Sequence, residues 1–441
     1  MLSNKNIKLN MFLATVILLG LSFGISGCGN SNGHSGEENV IVEDYSEADS
    51  VQDVLPDEND SFEVDAESKA INDGYLEIED IEQDKDTTFI NEKLDSMTLE
   101  EKVAQMFIIF PESLVEGVDC VSVAGEATKS SIDNIPVGGI VYLGQNIKTP
   151  EQVKDMLDNT QQYSMDRIGI PMFLCVDEEG GKIARIANNR SFGVENVGDM
   201  WKIGEINDPD NAYIIGNTIG AYLSELGFNL DFSPDADVMG EKYNYVIGRR
   251  AFSDDPDIVS DMALAVSRGL NAKGVISVYK HFPGHGSTTG DPHKGYAYTE
   301  KSLDELKTCD LIPFKKAIEN DVPFIMVGHI SLPNILNDDT PASLSEDIVR
   351  GLLRDDMGYE GVIITDAMNM GAVSDRYESD VAAVTAVKAG VDIILMPKDF
   401  KAAYEGVLKA VKNGEIQEER IDESVRRIIK IKHQWLKEID R

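Results

Sequence analysis

Eight short runs of apolar, β-favouring residues recur along the chain, and this repetition limits the possible folds more than any other feature. The runs are apolar throughout instead of alternating with polar residues, which predicts strands covered on both faces, as in parallel sheets. Stretches with helical periodicity fill the intervals between the runs. The predicted strands are Met106–Phe110, Gly139–Leu143, Pro171–Val176, Asn229–Ser233, Val275–Tyr279, Pro323–Val327, Val362–Thr365 and Asp392–Met396.

Strands that alternate with helices predict an α/β protein, and eight of them favour a TIM-type (β/α)8 barrel over an open, doubly wound sheet. The helices predicted between the strands are Pro150–Ser164, Asp210–Leu226, Pro256–Ala272, Leu303–Glu319, Ser345–Asp356 and Asp380–Ala389. Polar residues follow five different strands, where barrel active sites are built, whereas an open sheet would gather them at one switch point. These strand-end residues are Asp177, Asp235, Asp237, Lys280, His281, His329 and Asp366.

The first 27 residues have the layout of a signal peptide. Lys5 and Lys8 precede an apolar run from Met11 to Ile25, about fifteen residues, which is short for a membrane span of roughly 20. The cysteine that follows makes the segment resemble a bacterial lipoprotein signal, in which Cys28 becomes the lipidated first residue. A simple secretory signal or an uncleaved anchor is the alternative. We therefore expect an extracytoplasmic protein, anchored by lipid on Cys28 to the bacterial cell membrane.

An acidic segment follows the signal peptide. Between Glu37 and Asp86 the chain has 20 acidic residues and two lysines, a net charge of −18. Such a segment cannot bury enough apolar surface to offset the entropy of ordering, so we expect a disordered tether. The predicted organisation is a signal peptide over 1–27, a tether over 28–90 and a barrel domain over 91–441. The net charge of the whole chain, −38, argues against a nucleic-acid partner, because such binding needs a basic surface.

The segment from Lys280 to His293 concentrates titratable side chains after the fifth predicted strand, including three of the six histidines of the chain. Glycines on both sides of His285 allow a backbone with φ > 0, which predicts a shaped loop that His285 anchors. Asp291 and His293 lie two residues apart and could form a dyad, in which the aspartate holds the imidazole in one tautomer. The spacings match no tetrahedral zinc motif, so no metal is expected.

Carboxylates also stand at other strand ends. Asp366 follows the seventh predicted strand, and Asp177 begins an acidic stretch that ends in two glycines. One activated carboxylate and one proton donor suffice for glycoside cleavage, because the first attacks the anomeric carbon and the second protonates the departing oxygen. Asp366 could alternatively cap the following helix. Glu178 and Glu179 are expected to be hydrogen-bonded to the backbone or solvated.

With these motifs, the region from about Met97 to Lys432 resembles the barrel domain of family-3 glycoside hydrolases, specifically the β-N-acetylhexosaminidase branch. The most specific motif is Lys-His-Phe-Pro-Gly-His-Gly with an aspartate and a histidine after it. Most other branches take their acid/base group from a second domain, so the resemblance implies that a single barrel supplies both catalytic groups. The other supporting segments are Asp177–Gly181, Gly248–Phe252, Ile364–Met368 and Arg420–Arg427.

The resemblance implies a role for each matching residue. It makes Asp366 the nucleophile that forms a covalent glycosyl-enzyme, and His293 the general acid and then the base, with Asp291 as its partner. It also implies retention of anomeric configuration, with neither cofactor nor metal. The residues implied to bind the hydroxyls and the N-acetyl group of the sugar are Asp177, Arg185, Arg250, Lys280 and His281.

The activity implied is that of a monomeric, exo-acting β-N-acetylhexosaminidase that releases terminal β-linked N-acetylglucosamine, with peptidoglycan fragments as candidate substrates. A phosphorylase, another β-glycosidase of the same family and a non-catalytic sugar-binding lipoprotein are the alternatives. The chain departs from the branch at Pro292, which stands where serine is usual. Because proline restricts the residue before it, Pro292 either pre-sets Asp291 or limits the motion of the loop.

Overall fold

The computed structural model describes residues 86–115, 117–240, 244–290 and 297–439. Two groups of predicted residues lie outside these ranges: the predicted signal peptide with Cys28, and the loop residues Asp291, Pro292 and His293. Among the described residues, 86–96 are helical and include the last residues assigned to the tether, and Ile90 of this helix is buried in the core. The folded part of the chain therefore includes residues that the acidic composition of the segment had assigned to the tether.

Eight parallel strands, here named β1 to β8, form one sheet. Each strand from β1 to β6 is paired with the next strand of the sheet, and β8 is paired with β1. A parallel bridge between Ile364 and Ile393 joins β7 to the residue before β8 and so closes the ring. This is the (β/α)8 barrel that the strand pattern predicts. In chain order, β1 to β8 are Phe107–Ile109, Gly139–Val141, Phe173–Val176, Leu230–Asp231, Ile276–Phe282, Phe324–Val327, Val362–Thr365 and Ile394–Leu395.

Helices connect the strands, and three long ones begin in the same way. Thr149, Asp208 and Asp255 each cap a helix with a side-chain oxygen, and a proline follows directly at the first helical position, where no N–H is needed. The α-helices are 86–96, Leu99–Gln105, Pro111–Leu114, Glu126–Asn134, Pro150–Ile168, Met200–Ile206, Pro209–Leu226, Pro256–Asn271, Leu303–Lys307, Ile312–Ile318, Pro333–Leu336, Gly371–Ser374, Ser379–Ala389, Phe400–Lys412 and Glu418–Ile439.

Smaller elements complete the framework. Short 3₁₀ turns span Gly248–Arg250 and Ala342–Leu344, and Asp347–Asp356 forms a π-helix where an α-helix was predicted. Two additional strand pairs lie outside the barrel sheet. They are the antiparallel pair Glu178–Gly180 with Ile183–Ala184 and the parallel pair Ala297–Tyr298 with Ile330–Ser331.

The helix predicted over Leu303–Glu319 is two helices. The first ends at Lys307 and the second begins at Ile312, with Pro313 in its first turn. Proline has no N–H to donate to the preceding turn, so one continuous helix would lose a hydrogen bond at this point. In the described part of the chain, no helix is both long and apolar enough to cross a membrane.

The amino-terminal end of the barrel is closed by packing. Phe173 on β3 and Phe324 on β6 are not neighbours in the sheet, yet their rings meet edge to face with centroids 5.3 Å apart. Lys432 of the last helix lies 4.7 Å from the centroid of the Phe173 ring. Its ammonium donates to Gln105 Oε1 at 2.7 Å and to the Gly138 carbonyl at 2.9 Å. Gln105 lies just before β1 and Gly138 just before β2, so this end of the barrel is filled. Space for chemistry therefore lies at the opposite, carboxyl end.

Candidate active site

Asp366 lies directly after β7, at the carboxyl end of the barrel. Its N–H donates to the Val327 carbonyl of β6 at 2.9 Å, and its Oδ1 accepts from the Ala367 N–H at 2.7 Å. The next helix, Gly371–Ser374, is preceded by Met370 and has no side-chain cap. The alternative in which Asp366 caps that helix is therefore wrong, and the carboxylate is left available at the mouth.

The surroundings of Asp366 favour its ionised form. Burial opposes ionisation, but His281, His329, the Ala367 N–H and Lys280 together lower the pKa of the Asp366 carboxyl below its ordinary value. A carboxylate must be ionised to act as a nucleophile, so this environment suits the implied role at neutral pH.

His329, which follows β6, supports the backbone next to Asp366. Its Nε2 lies 3.0 Å from the Ala367 carbonyl, and its Nδ1 lies 2.7 Å from Ser343 Oγ. A carbonyl can only accept, so Nε2 carries the hydrogen and Nδ1 accepts from the serine hydroxyl. His329 therefore fixes the peptide that presents Asp366, a role that its position after a strand suggested but did not specify.

Glu179 is the centre of the charged cluster, and the prediction that it is solvated or bound to the backbone is wrong. The side chain is only 2% exposed and binds Arg250 through two bonds, Nε to Oε2 at 2.7 Å and Nη2 to Oε1 at 2.8 Å. Lys280 Nζ lies 2.5 Å from the same Oε1. Burial opposes ionisation, but the two cations hold the pKa of Glu179 well below its ordinary value.

Asp177, after β3, connects this cluster to the remaining predicted sugar-binding residues. Its Oδ1 lies 3.5 Å from Lys280 Nζ, and its Oδ2 lies 3.4 Å from Arg185 Nη2. Asp177, Arg185 and Arg250 are partly exposed, whereas Lys280 and His281 are buried. Thus the structure brings the five residues implied to bind the sugar to the same end of the barrel.

An irregularity in β5 explains how Lys280 and His281 both face polar partners. Successive residues of a regular strand point to opposite sides of the sheet. The register of β5 against β6 shifts between Tyr279 and Phe282, which breaks that alternation. Lys280 Nζ consequently reaches Glu179, while His281 Nδ1 lies 2.7 Å from Oδ2 of Asp237.

Glu178 behaves as the sequence predicts. Its carboxylate accepts the N–H groups of Ile186 and Ala187 at 2.8 and 2.9 Å, and the Tyr222 hydroxyl at 2.9 Å. These bonds hold the segment that presents Arg185. Burial raises the pKa of Glu178, which is the opposite of the shift at Glu179.

His285 anchors the loop, as predicted. The ring is buried, its Nδ1 lies 2.8 Å from Thr288 Oγ1, and Asn244 donates to its carbonyl at 2.8 Å. Beyond this turn, backbone hydrogen bonds of 2.9 and 3.0 Å between Thr289 and Tyr298 join the two ends of the segment that contains Asp291 and His293. Both catalytic candidates of the dyad lie outside the described residues.

The two glycines beside His285 have different reasons for being glycine. Gly284 has φ of +126°, as the loop pattern predicts. Gly286 does not have a positive φ, but a Cβ there would lie 2.0 Å from the Val238 carbonyl oxygen. The expectation of a positive φ is therefore wrong for Gly286, whose backbone instead packs directly against the segment after β4.

We expect Gly286→Ala to destabilise the protein by about 3 kcal/mol, because overpacking against backbone cannot be relieved by a side-chain rotation. Chemical unfolding followed by circular dichroism measures this. Gly144→Ala is the matched control, since a Cβ at Gly144 meets nothing within 4 Å. Equal stability of the two variants would contradict the close approach at Gly286.

One group of described residues has metal-ligand character. Ligand atoms of Asp235, Asp237 and His281 lie within 4.8 Å of one another, and all three side chains are buried. His281 Nδ1 is already hydrogen-bonded to Asp237, and the Arg250 guanidinium lies 3.2 Å from Asp235 Oδ2. A cation would have to replace that hydrogen and lie beside a fixed positive charge. The geometry therefore fits a hydrogen-bonded cluster better than a metal site.

An ionised aspartate near lysine and histidine side chains, at the carboxyl end of a closed parallel barrel, is typical of barrel enzymes, whose active sites are built at this end. Residues 98–431 match the family described as glycosyl hydrolase family 3 N terminal domain. The chain belongs to this family.

Related proteins agree with this assignment. The chain is 32% identical over 328 residues to Beta-hexosaminidase A of Pseudoalteromonas piscicida, which covers 68% of this chain and 54% of that protein. It is 33% identical over 271 residues to Beta-hexosaminidase LpqI of Mycobacterium tuberculosis, which covers 60% of this chain and 68% of that protein. The matched region thus spans only about half the length of the Pseudoalteromonas relative.

A solved structure has the same fold. The family-3 β-N-acetylglucosaminidase from Paenibacillus sp. str. FPU-7 superposes with a TM-score of 0.72 at 34% sequence identity, covering 78% of this chain and 64% of that chain. The barrel architecture is therefore shared with an enzyme of known fold and named activity.

Proposed function

We propose that this protein is a retaining, exo-acting β-N-acetylhexosaminidase that releases terminal β-linked N-acetylglucosamine. The observation that carries the proposal is the carboxylate of Asp366, with a lowered pKa, at the end of the barrel that holds Lys280 and His281. The hexosaminidase names of the relatives support this class of substrate. Peptidoglycan fragments are the natural substrates we propose for such an enzyme at a bacterial envelope.

The reaction proceeds in two displacements. In the first, Asp366 forms a bond to the anomeric carbon while the bond to the leaving oxygen breaks, and His293 gives a proton to that oxygen. In the second, His293 takes a proton from water, whose oxygen bonds to the anomeric carbon as the ester to Asp366 breaks. Two inversions give a product with the original configuration. Asp291 holds the imidazole of His293 and stabilises its charged form.

The charged cluster supplies binding and orientation. Asp177 accepts hydrogen bonds from sugar hydroxyls, while Arg185 and Lys280 donate to them. This assignment is supported by the partial exposure of Asp177 and Arg185 and by the 3.5 Å distance from Lys280 Nζ to Asp177 Oδ1. Glu179 balances Lys280 and Arg250, so that the buried lysine and the partly buried arginine remain charged before the sugar arrives.

The test is hydrolysis by the purified full chain of an aryl β-N-acetylglucosaminide, chitobiose and a muropeptide fragment, each with and without phosphate. We expect free N-acetylglucosamine at a rate that does not depend on phosphate. Formation of the sugar 1-phosphate would instead indicate a phosphorylase. Binding of the sugar without turnover would indicate a non-catalytic protein. The matched aryl β-glucoside, in which a hydroxyl replaces the acetamide, should react more slowly.

His293→Ala should slow substrates with poor leaving groups far more than activated aryl substrates. Poor leaving groups need protonation, whereas an activated phenolate departs without it. A series of aryl glycosides with leaving groups of increasing pKa measures this, and the slope of the rate against that pKa should steepen in the variant. Equal slowing across the series would remove His293 from the acid role.

We also propose that the protein acts as a monomer on the outer side of a bacterial membrane, anchored by lipid on Cys28. The apolar run with a cysteine after it supports this proposal. Radiolabelled palmitate should enter the wild type in the membrane fraction and not the Cys28→Ala variant. Equal labelling of both proteins would contradict the anchor, and light scattering of detergent-solubilised protein gives the mass of the assembly.

A further inference from the structure

Asp237 holds both ends of the turn from His281 to His285. Its Oδ2 lies 2.7 Å from His281 Nδ1, and its Oδ1 lies 2.5 Å from the backbone N of His285 and 3.4 Å from the backbone N of His281. The Asp237 side chain has no exposed surface, and the two imidazole rings meet edge to face with centroids 5.6 Å apart. One carboxylate thus ties a predicted sugar-binding side chain to the anchor of the loop.

These contacts determine where the hydrogen on His281 lies. Burial lowers the pKa of His281 to about 4, so the ring is neutral near pH 7 and carries one N–H. Burial raises the pKa of the Asp237 carboxyl, but His285 and Arg250 oppose this rise. The backbone N–H groups of His281 and His285 on Oδ1 also stabilise the ionised carboxylate. The N–H of His281 is then at Nδ1, directed to Asp237, and Nε2 retains its lone pair.

We propose that Asp237 is a positioning residue for the sugar site, which keeps His281 in the Nδ1–H tautomer and fixes its ring against the turn to His285. His281 then accepts a hydrogen bond from a sugar hydroxyl or amide through Nε2. Only the kinetic part of this inference rests on the proposed function, because the tautomer of His281 exists without substrate.

Asp235 provides a matched comparison, because it is a buried aspartate two positions away with different partners. Its Oδ1 accepts the Asp237 N–H at 3.1 Å, and the Arg250 guanidinium lies 3.2 Å from its Oδ2. Burial and the neighbouring Asp237 raise the pKa of Asp235 to about 7. Asn resembles the protonated acid, so Asp235→Asn should disturb the site less than the same change at Asp237.

The experiment compares Asp237→Asn with Asp235→Asn in the full chain. ¹⁵N NMR of the imidazole nitrogens distinguishes the two tautomers, and His281→Gln identifies the signals of His281. We expect the Nδ1–H tautomer in the wild type and in Asp235→Asn. In Asp237→Asn one side-chain atom becomes an NH₂ donor, so His281 Nδ1 should become an acceptor and the hydrogen should move to Nε2.

Kinetics provide the second readout. Asp237→Asn should raise KM for the aryl β-N-acetylglucosaminide by about tenfold or more, the loss expected when a buried polar contact is unmade. The rise in KM should be several times that of Asp235→Asn. A purely structural role would lower the fraction of folded enzyme, and with it kcat, while KM stayed unchanged.

Three results would overturn the proposal: retention of the Nδ1–H tautomer in Asp237→Asn, an unchanged KM, or equal behaviour of the two Asn variants. If the wild type hydrolysed no β-N-acetylglucosaminide, the proposed function would fail, but the NMR comparison would still decide whether Asp237 sets the tautomer.

Discussion

Asp366→Ala should lower kcat for an aryl β-N-acetylglucosaminide by on the order of 10⁴-fold, as expected when a covalent nucleophile is removed. Two other buried carboxylates at this end of the barrel are held by their own partners. Glu179 is bound to Arg250 and Lys280, and Asp237 is bound to His281. Steady-state release of the aryl group measures the effect. Folding should change little, since the Asp366 side chain accepts only the Ala367 N–H among the hydrogen bonds of the described residues.

A small anion distinguishes loss of the nucleophile from general damage to the site. Alanine leaves space beneath the anomeric carbon, so azide added to Asp366→Ala should restore turnover of the activated aryl substrate. The product should be the glycosyl azide of inverted configuration, because only one displacement then occurs. Asp366→Asn, which fills the same space, should not be rescued. Turnover of Asp366→Ala at the wild-type rate without azide would contradict the nucleophile assignment.

The barrel and the placement of Asp366 could be predicted because both depend on local pattern. Strands covered on both faces have continuously apolar sequences, and residues that follow them must lie at one end of a closed barrel. This reasoning correctly placed Asp177, Lys280 and His281 at the same end of the barrel. The same reasoning could not predict the exact strand ends. The last strand was predicted over Asp392–Met396, but the observed strand is Ile394–Leu395 and begins two residues later.

The pairing inside the site could not be predicted in this way. Glu179 binds Arg250, which is 71 positions away in the sequence. The residues next to Glu179 and next to Arg250 do not predict this contact. A weak signal was present in Gly180 and Gly181, whose φ values of +99° and +51° allow a tight turn that keeps Glu179 close to the barrel mouth. The reason for a glycine at position 286 could not be predicted for a similar reason. The constraint is the close approach of the Val238 carbonyl, which follows a different strand.

Glu179→Gln should lower the free energy of unfolding at pH 7 by about 3–5 kcal/mol, because it removes the closest counter-charge of buried Lys280 and of partly buried Arg250. Lys280, which is 3% exposed, would keep only its 3.5 Å ion pair with Asp177, and Arg250 would keep only its ion pair with Asp235. Urea unfolding followed by tryptophan fluorescence measures this loss. A change below about 1 kcal/mol, as for an exposed ion pair, would contradict the buried cluster.

The dependence of the free energy of unfolding on pH tests the same cluster, and the neighbouring Glu178 serves as the control. The pKa of Glu179 is lower in the folded protein than its ordinary value of 4.5, so its stabilisation is fully present above pH 4.5 and is lost as pH falls. The advantage of the wild type over Glu179→Gln should therefore shrink in acid. Burial raises the pKa of Glu178, so the wild type should gain stability relative to Glu178→Gln as pH falls. Two adjacent, nearly isosteric substitutions should thus show pH slopes of opposite sign, and slopes of the same sign would mean that the cations do not compensate Glu179.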